Sequence, residues 1–357
     1  MTKQSKRYDV PHVVFRADAD WKTGGGHVRR CLSLAEQLAA AGWKCSFACR
    51  KGAVETVPAL AASGYDLLIL EGPEASEADG LLQRWPAGVD WLVVDHYRRD
   101  ARFERSCRAW ADSILVIDDL ADRPHDCDVL LDQSPGRTAD DYRRLVPKEA
   151  EVLVGPDFAL MRSQFASRRD EALARRRKGG EAARILVSVG AADAYGLTVA
   201  ILRGLAQTDP KVAIDVVVGA AWPNLDAVRE CADALPHDVT IHQDVDDMAA
   251  LMAAADLAIG CGGSTTWERC CLGLPTLVIM SANNQQAIAM DLDRLGAIKF
   301  IGAYCNVGPS MVASVASKVL HDGSALQAMA EKAAAVCDGN GAGRLVERMK
   351  ARAAQLV

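Results

Sequence analysis

Short apolar segments alternate with amphipathic helical segments along most of this chain, and no other feature constrains its fold as strongly. The segments predicted as strands in the first half are 13–17, 43–49, 66–70, 91–95, 114–118 and 129–132. In the second half they are 185–189, 214–218, 239–242, 257–260 and 276–280. Strands that alternate with helices form mainly parallel sheets with helices on both faces. The sequence therefore predicts an α/β protein built from doubly wound, Rossmann-like parallel sheets.

The chain is long enough for two such sheets. Single hydrophobic cores stop growing beyond about 250–300 residues, and this chain has 357 residues. The alternation stops near residue 165, where the polar and basic segment 167–184 is typical of a helix end followed by a linker. We predict a first domain over residues 1–166, a second over 184–340, and a C-terminal helix over 341–357 that braces the two. The two domains are expected to face a cleft.

Composition limits the kinds of molecule that the protein is expected to bind. The formal net charge is −6, whereas nucleic-acid-binding surfaces leave a basic footprint. The sequence shows no signal-peptide pattern at its start, and no segment approaches the ~18–20 apolar residues of a membrane span. The 11 cysteines are scattered in apolar surroundings rather than in CxxC pairs, which is typical of reduced thiols. We therefore expect a cytoplasmic protein that binds neither nucleic acid nor membrane.

Three glycines lie between the first strand and the first helix. Gly24, Gly25 and Gly26 would let the backbone approach a ligand closely, since glycine has no Cβ. The helix start that follows offers free N–H groups to a phosphate or carboxyl oxygen. His27 stands in the first turn of that helix, and histidine exchanges protons near neutral pH. His27 is therefore the candidate catalytic base, and a histidine that only binds phosphate is the alternative.

Two arrangements could hold a metal ion, and neither has the usual ligand spacing. His27 and Cys31 are four residues apart on one helix face, but no second ligand pair accompanies them. An acidic cluster runs from Asp118 to Asp132, yet Arg123 lies within it and the acidic residues belong to two strand ends. We interpret the cluster as buried hydrogen bonding in turns, and we expect neither a metal nor another cofactor.

A second glycine loop connects a strand of the second half to a helix. Gly262 and Gly263, followed by the hydroxyls of Ser264 and Thr265, are suited to phosphate oxygens. Glu268 stands near enough to hold the diol of a ribose. The alternative is structural, because Thr265-x-x-Glu268 has the spacing of a capping box. One loop could serve both purposes if Ser264 and the backbone meet the phosphate.

Three further strand ends carry polar residues. Gly190 opens a loop that could direct backbone N–H groups toward the same ligand, although many α/β turns have this form. Asn284 and Gln285 follow a strand and could read sugar hydroxyls or acetamido groups, and a solvated loop with an N-cap asparagine is the alternative. The run Asp-His-Tyr at 95–97 ends another strand, and ligands of open parallel sheets bind at such ends.

Three well-known motifs do not occur in the sequence. The dinucleotide fingerprint GxGxxG is not completed after 24–26, and no acidic residue stands at 43–44, about 20 residues later. Neither GxxxxGK[ST] nor GxSxG occurs. An NAD enzyme is therefore disfavoured, and P-loop ATPases and α/β-hydrolases are excluded.

Ordered motifs along the chain resemble those of a known family. They are FRADA at 15–19, GHVxRCL at 26–32, VDHY at 94–97, VIDDLADRxHDCD at 116–128, LLDQ at 130–133, LxGPxFALxR at 153–162 and GGSTxWE at 262–268. On these motifs the chain resembles the UDP-sugar hydrolases of pseudaminic acid synthesis, over residues 12 to 300.

This resemblance implies the two-domain fold of GT-B glycosyltransferases and a hydrolytic reaction. The implied substrate is UDP-2,4-diacetamido-2,4,6-trideoxy-β-L-altropyranose, whose anomeric bond is cleaved by water to give free sugar and UDP. The histidine that serves as the family's base corresponds to His27. The implied enzyme needs no metal, and direct displacement by water implies inversion. The product would enter pseudaminic acid synthesis and, from there, flagellin glycosylation.

The resemblance also implies which residues bind the substrate. Those implied to contact it are Arg16, Gly26, Tyr97, Arg162, Asn284 and Gln285. Those implied to hold its nucleotide are Gly190, Gly262, Gly263, Ser264, Thr265 and Glu268. The loop at 190–193 is Gly-Ala-Ala-Asp, where the family usually has Gly-Gly-Ser-Asp, so a hydroxyl and a glycine are lost there.

Two other functions fit the same residues. An inverting glycosyltransferase of this fold would pass the sugar to a hydroxyl acceptor instead of water, and a binding protein would hold the nucleotide sugar without turnover. Incubation of the nucleotide sugar without an acceptor separates hydrolysis from transfer. In each case we expect a monomer whose partner is a UDP-sugar.

Overall fold

The computed structural model describes residues 10–20, 24–190, 193, 195–209, 211–219, 222 and 224–355. The chain forms two compact units, one of Met1–Arg162 with Asn340–Val357 and one of Ser163–Gly339. Each unit is built around one parallel sheet, with seven strands in the first and six in the second. The predicted α/β fold with two doubly wound, Rossmann-like sheets is therefore confirmed.

The sheet of the first unit contains one strand that the sequence pattern does not predict. Its strands are β1 (His12–Ala17), β2 (Lys44–Cys49), β3 (Asp66–Ile69), β4 (Val89–Asp95), β5 (Ala111–Ile117), β6 (Val129–Asp132) and β7 (Glu151–Val154). They lie in the order β3-β2-β1-β4-β5-β6-β7. The unpredicted strand is β7, because four residues at a sheet edge give too little apolar signal.

The helices of the first unit follow their strands. They are α1 (Gly26–Ala40), α2 (Lys51–Thr56), α3 (Pro58–Ala62), α4 (Glu77–Arg84) and α5 (Ala101–Cys107). The end of α1 shows how the sequence sets a boundary, because Gly42 adopts φ +83°, where a Cβ is unfavourable. The Gly42 amide donates to the Ala39 carbonyl and the Trp43 amide donates to the Leu38 carbonyl. These are the two bonds of a Schellman motif.

The second unit repeats the architecture. Its strands are β8 (Arg184–Ser188), β9 (Ala213–Val218), β10 (Asp238–Gln243), β11 (Leu257–Cys261), β12 (Thr276–Met280) and β13 (Lys299–Ala303), in the order β10-β9-β8-β11-β12-β13. The sequence pattern does not predict β13, whose run contains Gly302 and whose register with β12 shifts after Val278.

Eight helices are described in the second unit. They are α6 (Ser163–Arg176), α7 (Leu197–Leu205), α8 (Leu225–Asp233), α9 (Met248–Ala254), α10 (Thr265–Cys271), α11 (Gln286–Arg294), α12 (Pro309–Leu320) and α13 (Gly323–Ala334). Within the described parts of both units, the structure contains no helix that is long and apolar enough to cross a membrane.

The basic segment predicted to end a helix and continue as a linker is helical through Arg176. Three of its arginines, Arg169, Arg175 and Arg176, donate to backbone carbonyls at the ends of neighbouring helices. The guanidinium of Arg176 reaches three carbonyls at 2.7–2.8 Å, those of Leu272, Ala255 and Met252. Arg169 binds the last carbonyls of α10 and α13. Cations are favourable at helix C-termini, which explains why this charged segment folds.

The chain returns to the first unit in its last helix, α14 (Gly341–Gln355). Leu345, Val346 and Met349 of α14 lie in the same hydrophobic core as Val28 and Leu34 of α1. This packing explains why the C-terminal residues belong to the first unit. The further expectation that this helix braces both domains stays a prediction.

Both sheets have a point where the strand order reverses. In the first unit it lies between β1 and β4, and in the second between β8 and β11. At such a switch point the connecting helices leave on opposite faces, and ligands bind beyond the carboxyl ends of the strands. The end of β4 carries Asp95, and Gly262 follows the end of β11. The loops singled out in the sequence therefore lie at the two switch points.

A buried histidine at the amino end of β1 links stability to pH. His12 is 6% exposed, and its Nε2 lies 2.8 Å from Ser46 Oγ. Burial, helped by the charge of Lys44, lowers the pKa of His12 from 6.5 to about 4. The unfolded chain therefore binds more protons than the folded protein between these two values. Stability from this group is present above about pH 6.5 and falls as the pH drops toward about 4.

We expect His12→Asn to reduce this pH dependence. Urea midpoints measured at about pH 7.5 and about pH 5 should differ less for the variant than for the native protein. An equal difference in both proteins would show that another group titrates in this range.

Candidate active site

His27 begins α1, and its side chain meets the end of β4. The histidine is 7% exposed, and its Nδ1 lies 2.5 Å from Asp95 Oδ1. An ionised carboxylate only accepts hydrogen bonds, so this contact assigns the ring proton to Nδ1. Nε2 then keeps its lone pair. Asp95 thus orients the His27 ring and, in the neutral imidazole, leaves Nε2 able to accept a proton.

Arg30 neutralises the carboxylate that orients His27. Its Nε lies 2.6 Å from Asp95 Oδ2 and its Nη2 lies 2.6 Å from Oδ1, which is the geometry of a bidentate pair. Burial alone would raise the pKa of Asp95, but the charge of Arg30 and the hydrogen bonds from Arg30 and His27 outweigh burial and hold the pKa well below its usual range. Asp95 is therefore ionised at neutral pH despite being fully buried.

Tyr97 follows β4 and covers one side of His27. The two rings meet edge to face, with centroids 4.4 Å apart at 81°. The Tyr97 hydroxyl lies 3.3 Å from Asp119 Oδ2. The other carboxyl oxygen of Asp119, Oδ1, is buried and has no hydrogen-bond partner among the described residues. Burial raises the pKa of Asp119, and Oδ1 could accept a hydrogen bond from a ligand.

Arg16, predicted to bind substrate, lies in a buried ion-pair network. Its side chain is fully buried, with Nε 3.0 Å and Nη2 2.9 Å from the Glu77 carboxylate and Nη1 2.8 Å from Asp18. Glu77 also accepts hydrogen bonds from Arg50 and Arg99 at 2.6 and 2.7 Å. The network ties together the segments that follow β1, β2 and β4. A substrate contact by Arg16 stays a prediction.

The remaining predicted residues of the first unit are placed by the backbone. Gly26 is the first residue of α1 and directly precedes His27. Arg162 is partly buried and is the last residue of the unit's first segment. The structure therefore brings Gly26, His27 and Tyr97 together, and the role of Arg162 stays a prediction.

In the second unit, the turn from β11 into α10 differs from the capping-box alternative. Ser264 is the residue before the helix and makes no side-chain capping hydrogen bond. Thr265 is already the first helical residue, so it does not occupy the position that a capping box with Glu268 requires. Ser264 and Thr265 are partly buried and directly follow this strand end.

Gln285 lies against the same glycine loop. A Cβ on Gly262 would lie 3.6 Å from the Gln285 Cβ, and a Cβ on Gly263 would lie 4.0 Å from Gln285 Nε2. The Gln285 Oε1 accepts hydrogen bonds from the amide and hydroxyl of Ser281 at 3.0 and 3.2 Å. Asn284, its neighbour, is exposed. Two predicted loops of the second unit, after β11 and after β12, are therefore in contact.

The loop after β8 begins with Gly190 at φ +103°. The two alanines at 191–192 lie outside the described residues. Asp193 accepts hydrogen bonds from the amides of Leu197 and Thr198 at 2.7 and 2.9 Å, so its carboxylate serves the start of α7. The nucleotide contact expected of Gly190 stays a prediction.

The acidic cluster forms the turn hydrogen bonds that the sequence predicts. Asp118 accepts from the Ala121 amide at 2.8 Å, lies 2.9 Å from the Tyr142 hydroxyl and pairs with Arg123 at 2.8 Å. The same hydroxyl lies 2.7 Å from Asp132. Within the described ranges, no group of three or more His, Cys, Asp or Glu residues could hold a metal ion.

Three residues of the site are not among the predicted site residues, namely Asp95, Arg30 and Asp119, although Asp95 belongs to the run at 95–97 that the sequence places at a strand end. A signal for two of them exists. Arg30 is three residues after His27, on the same helix face, and Asp95 ends the strand across the switch point from β1. Asp119 carries no such signal, because its contact with Tyr97 joins the ends of two different strands.

Comparison with known proteins gives relatives for both halves of the chain. Residues 184–348 match the glycosyltransferase family 28 C-terminal domain. The chain is 27% identical over 288 residues to the UDP-2,4-diacetamido-2,4,6-trideoxy-β-L-altropyranose hydrolase of Campylobacter jejuni, across 80% of this chain and 97% of that protein. It is 30% identical over 163 residues to the spore coat polysaccharide biosynthesis protein SpsG of Bacillus subtilis, across 45% of this chain and 46% of that protein.

Solved structures share the fold. MurG of Acinetobacter baumannii matches with a TM-score of 0.69 at 18% identity, across 95% of this chain and 99% of MurG. The UDP-GlcNAc 2-epimerase of Neisseria meningitidis matches with a TM-score of 0.62 at 13% identity, across 95% and 99%. The chain therefore has the Rossmann-like domains of GT-B glycosyltransferases. The resemblance predicted from its motifs is confirmed, since over 80% of its length the chain is similar to the C. jejuni UDP-2,4-diacetamido-2,4,6-trideoxy-β-L-altropyranose hydrolase.

Proposed function

We propose that this protein hydrolyses UDP-2,4-diacetamido-2,4,6-trideoxy-β-L-altropyranose to UDP and free sugar, with His27 as the base that activates water. The observation that carries the proposal is the 2.5 Å contact between His27 Nδ1 and Asp95, which leaves Nε2 to accept a proton. Similarity to the C. jejuni hydrolase supports the choice of substrate. In this proposal the step belongs to pseudaminic acid synthesis and supplies flagellin glycosylation.

The proposed reaction is a single displacement. A proton passes from water to His27 Nε2 while the water oxygen forms a bond to the anomeric carbon. The bond from that carbon to the β-phosphate oxygen breaks, and the oxygen keeps the electron pair as UDP leaves. Asp95 stays ionised and stabilises the imidazolium. The configuration inverts, and the reaction needs no metal ion or other cofactor.

Tyr97 and Asp119 are proposed to hold the sugar beside His27. The edge-to-face contact fixes the Tyr97 ring against the imidazole, and its hydroxyl reaches Asp119. The buried Oδ1 of Asp119 could accept a hydrogen bond from an acetamido N–H or a sugar hydroxyl. The family resemblance adds Gly26, Arg16 and Arg162 to the proposed substrate residues.

The second unit is proposed to hold the nucleotide. Its proposed ligands are Gly190, Gly262, Gly263, Ser264, Thr265 and Glu268, with Asn284 and Gln285 as further substrate contacts. These residues follow β8, β11 and β12, which are neighbours in the sheet. The switch point between β8 and β11 is where sheets of this kind bind ligands, and this placement supports the proposal.

An inverting glycosyltransferase of the same fold is the second candidate. The match of residues 184–348 to the glycosyltransferase family 28 C-terminal domain favours it. Both reactions need a base for an oxygen nucleophile and a site for departing UDP. They differ in whether water or a sugar hydroxyl attacks the anomeric carbon.

Incubation of the purified protein with this UDP-sugar and no acceptor tests the proposal. The expected result is UDP and free sugar in equal amounts by NMR, unchanged after treatment with EDTA. Intact UDP-sugar that is consumed only when an acceptor is added would indicate a transferase. Binding without turnover would indicate a nucleotide-sugar binding protein. We further propose a monomeric, cytoplasmic enzyme, for which size-exclusion chromatography tests the oligomeric state.

A further inference from the structure

Arg269 of α10 is a buried arginine whose hydrogen bonds, within the described residues, go only to uncharged groups. The residue is 2% exposed. Its Nη2 lies 2.6 Å from the Cys261 carbonyl oxygen and 3.3 Å from Thr266 Oγ1. Its Nε is buried and has no hydrogen-bond partner among the described residues. Buried charges are normally paired with an opposite charge, so this guanidinium calls for a counter-ion.

Burial lowers the pKa of Arg269, and the neighbouring Cys270, Cys261 and Glu268 only partly oppose the effect. An arginine is nevertheless charged at any physiological pH. In the part of the chain that the structure describes, no carboxylate forms an ion pair with it. The folded second unit therefore contains a positive charge that its own described residues do not compensate.

The position of this charge relates it to the switch point of the second sheet. Cys261 is the last residue of β11, and its carbonyl shares a trans peptide with the Gly262 amide. A Cβ on Gly260 would lie 2.0 Å from the Ser188 carbonyl oxygen and 3.0 Å from Arg269 Nη1. Only glycine allows β8, β11 and the guanidinium to approach so closely. The guanidinium thus lies next to the peptide that leads into the loop at 262–265.

We propose that Arg269 supplies the fixed positive charge behind the 262–265 loop and that the diphosphate of a bound nucleotide is its counter-ion. Arg269 does not touch the nucleotide. It acts through the Cys261–Gly262 peptide, which its hydrogen bond polarises, and through its charge, which is weakly screened inside the protein. The inference rests on the proposed nucleotide site and adds the group that distinguishes a nucleoside diphosphate from a nucleoside.

Measured affinities for UDP and for uridine test this role. The proteins to compare are the native protein, Arg269→Met and Arg269→Lys. The methionine variant should lose about 10-fold or more in UDP affinity and stay within about 2-fold for uridine, because only UDP carries the opposite charge. The lysine variant keeps the charge and should retain most of the UDP affinity. Without ligand, the methionine variant should be as stable as the native protein or more stable, since a buried unpaired charge is removed.

Arg176 of α6 provides a control, because it binds the carbonyl of Leu272 at the C-terminal end of α10. It is partly buried, and its guanidinium also donates hydrogen bonds to backbone carbonyls. Burial lowers its pKa to about 10. It lies near the amino end of β11 rather than the carboxyl end. Arg176→Met should lower stability, because three backbone carbonyls lose their hydrogen-bond donor. It should leave the ratio of UDP affinity to uridine affinity unchanged.

Each outcome decides the matter. If Arg269→Met binds UDP as the native protein does, or loses UDP and uridine affinity equally, the inference is wrong. If Arg269→Met fails to fold, the expectation about stability is contradicted, and the inference is wrong in this case too. If the native protein binds no UDP, the proposed nucleotide site itself is wrong, and this result is distinct from the other two.

Discussion

Replacement of His27 by asparagine is expected to lower kcat for UDP release by about 10²–10⁴-fold, the contribution of a positioned general base. The asparagine amide can still donate a hydrogen bond to Asp95, but it cannot take a proton from water. KM should change little, because the lost interaction acts in the transition state rather than in the bound ground state. Initial rates of UDP release over a range of substrate concentrations measure both constants.

His12→Asn is the matched control for this substitution. His12 is also a buried histidine of the first unit. It lies at the amino end of β1, however, whereas Asp95 lies at the carboxyl end of the neighbouring strand β4. Its replacement should leave kcat unchanged. A folded His27→Asn protein that retains activity within about 2-fold of native would show that His27 is not the base.

Glu77→Gln should lower stability more than the other substitutions, such as His12→Asn or Arg176→Met. The Glu77 carboxylate is buried and accepts hydrogen bonds from the guanidinium groups of Arg16, Arg50 and Arg99. Breaking a buried ion pair costs about 3–5 kcal/mol, because the partner charges are left uncompensated. For a unit of this size, that corresponds to a melting temperature lower by roughly 6–20 °C. Differential scanning calorimetry measures the shift.

The same carboxylate gives the stability an acid limit. Burial would raise the pKa of Glu77, but its arginine partners outweigh burial and lower the pKa from 4.5 to about 2. The contribution of Glu77 is therefore fully present above about pH 4.5 and is lost as the pH falls toward about 2. Glu77→Gln should flatten this part of the stability profile.

Glu55→Gln is the control for the loss of a glutamate charge. Glu55 is exposed on α2 and lies 3.7 Å from Lys51, one helical turn away. Exposed pairs of this kind contribute about 0.3–0.5 kcal/mol, so the melting temperature should barely change. Equal shifts for Glu55→Gln and Glu77→Gln would contradict the role assigned to the buried network.

Much of the fold can be predicted from the sequence because the elements carry strong periodic signals. The strands predicted at 129–132 and 276–280 have the same bounds as β6 and β12. Gly42, at φ +83°, follows the end of α1, and a glycine at such a position is a signal that local sequence carries. Elements without such signals, including the short edge strand β7, become visible only through their neighbours in the sheet.

In the candidate site, too, some residues can be predicted from the sequence and others cannot. A histidine after a glycine-rich strand-to-helix turn can be recognised from local sequence, and His27 is recognised in this way. Its partner Asp95 is 68 residues away and is brought close only because β1 and β4 are adjacent in the sheet. The pairing of Arg16 with Glu77 depends likewise on where α4 packs. Local sequence does not contain these distances.

Arg269 shows a different limit of prediction from the sequence. In sequence it follows Glu268 near the start of a helix, a position where an arginine is usually exposed. Its burial results from the close approach of β8 to Gly260 and from the hydrogen bond to the Cys261 carbonyl. Charge patterning cannot predict such burial, because it depends on packing across three elements.

In the proposed reaction, water activated by His27 attacks the anomeric carbon rather than the phosphorus. Hydrolysis of the UDP-sugar in oxygen-18 water, followed by mass spectrometry of the released UDP, tests this directly. Attack at carbon leaves every UDP oxygen unlabelled, and this is the expected result. A single oxygen-18 atom on the β-phosphate of UDP would contradict the proposed mechanism.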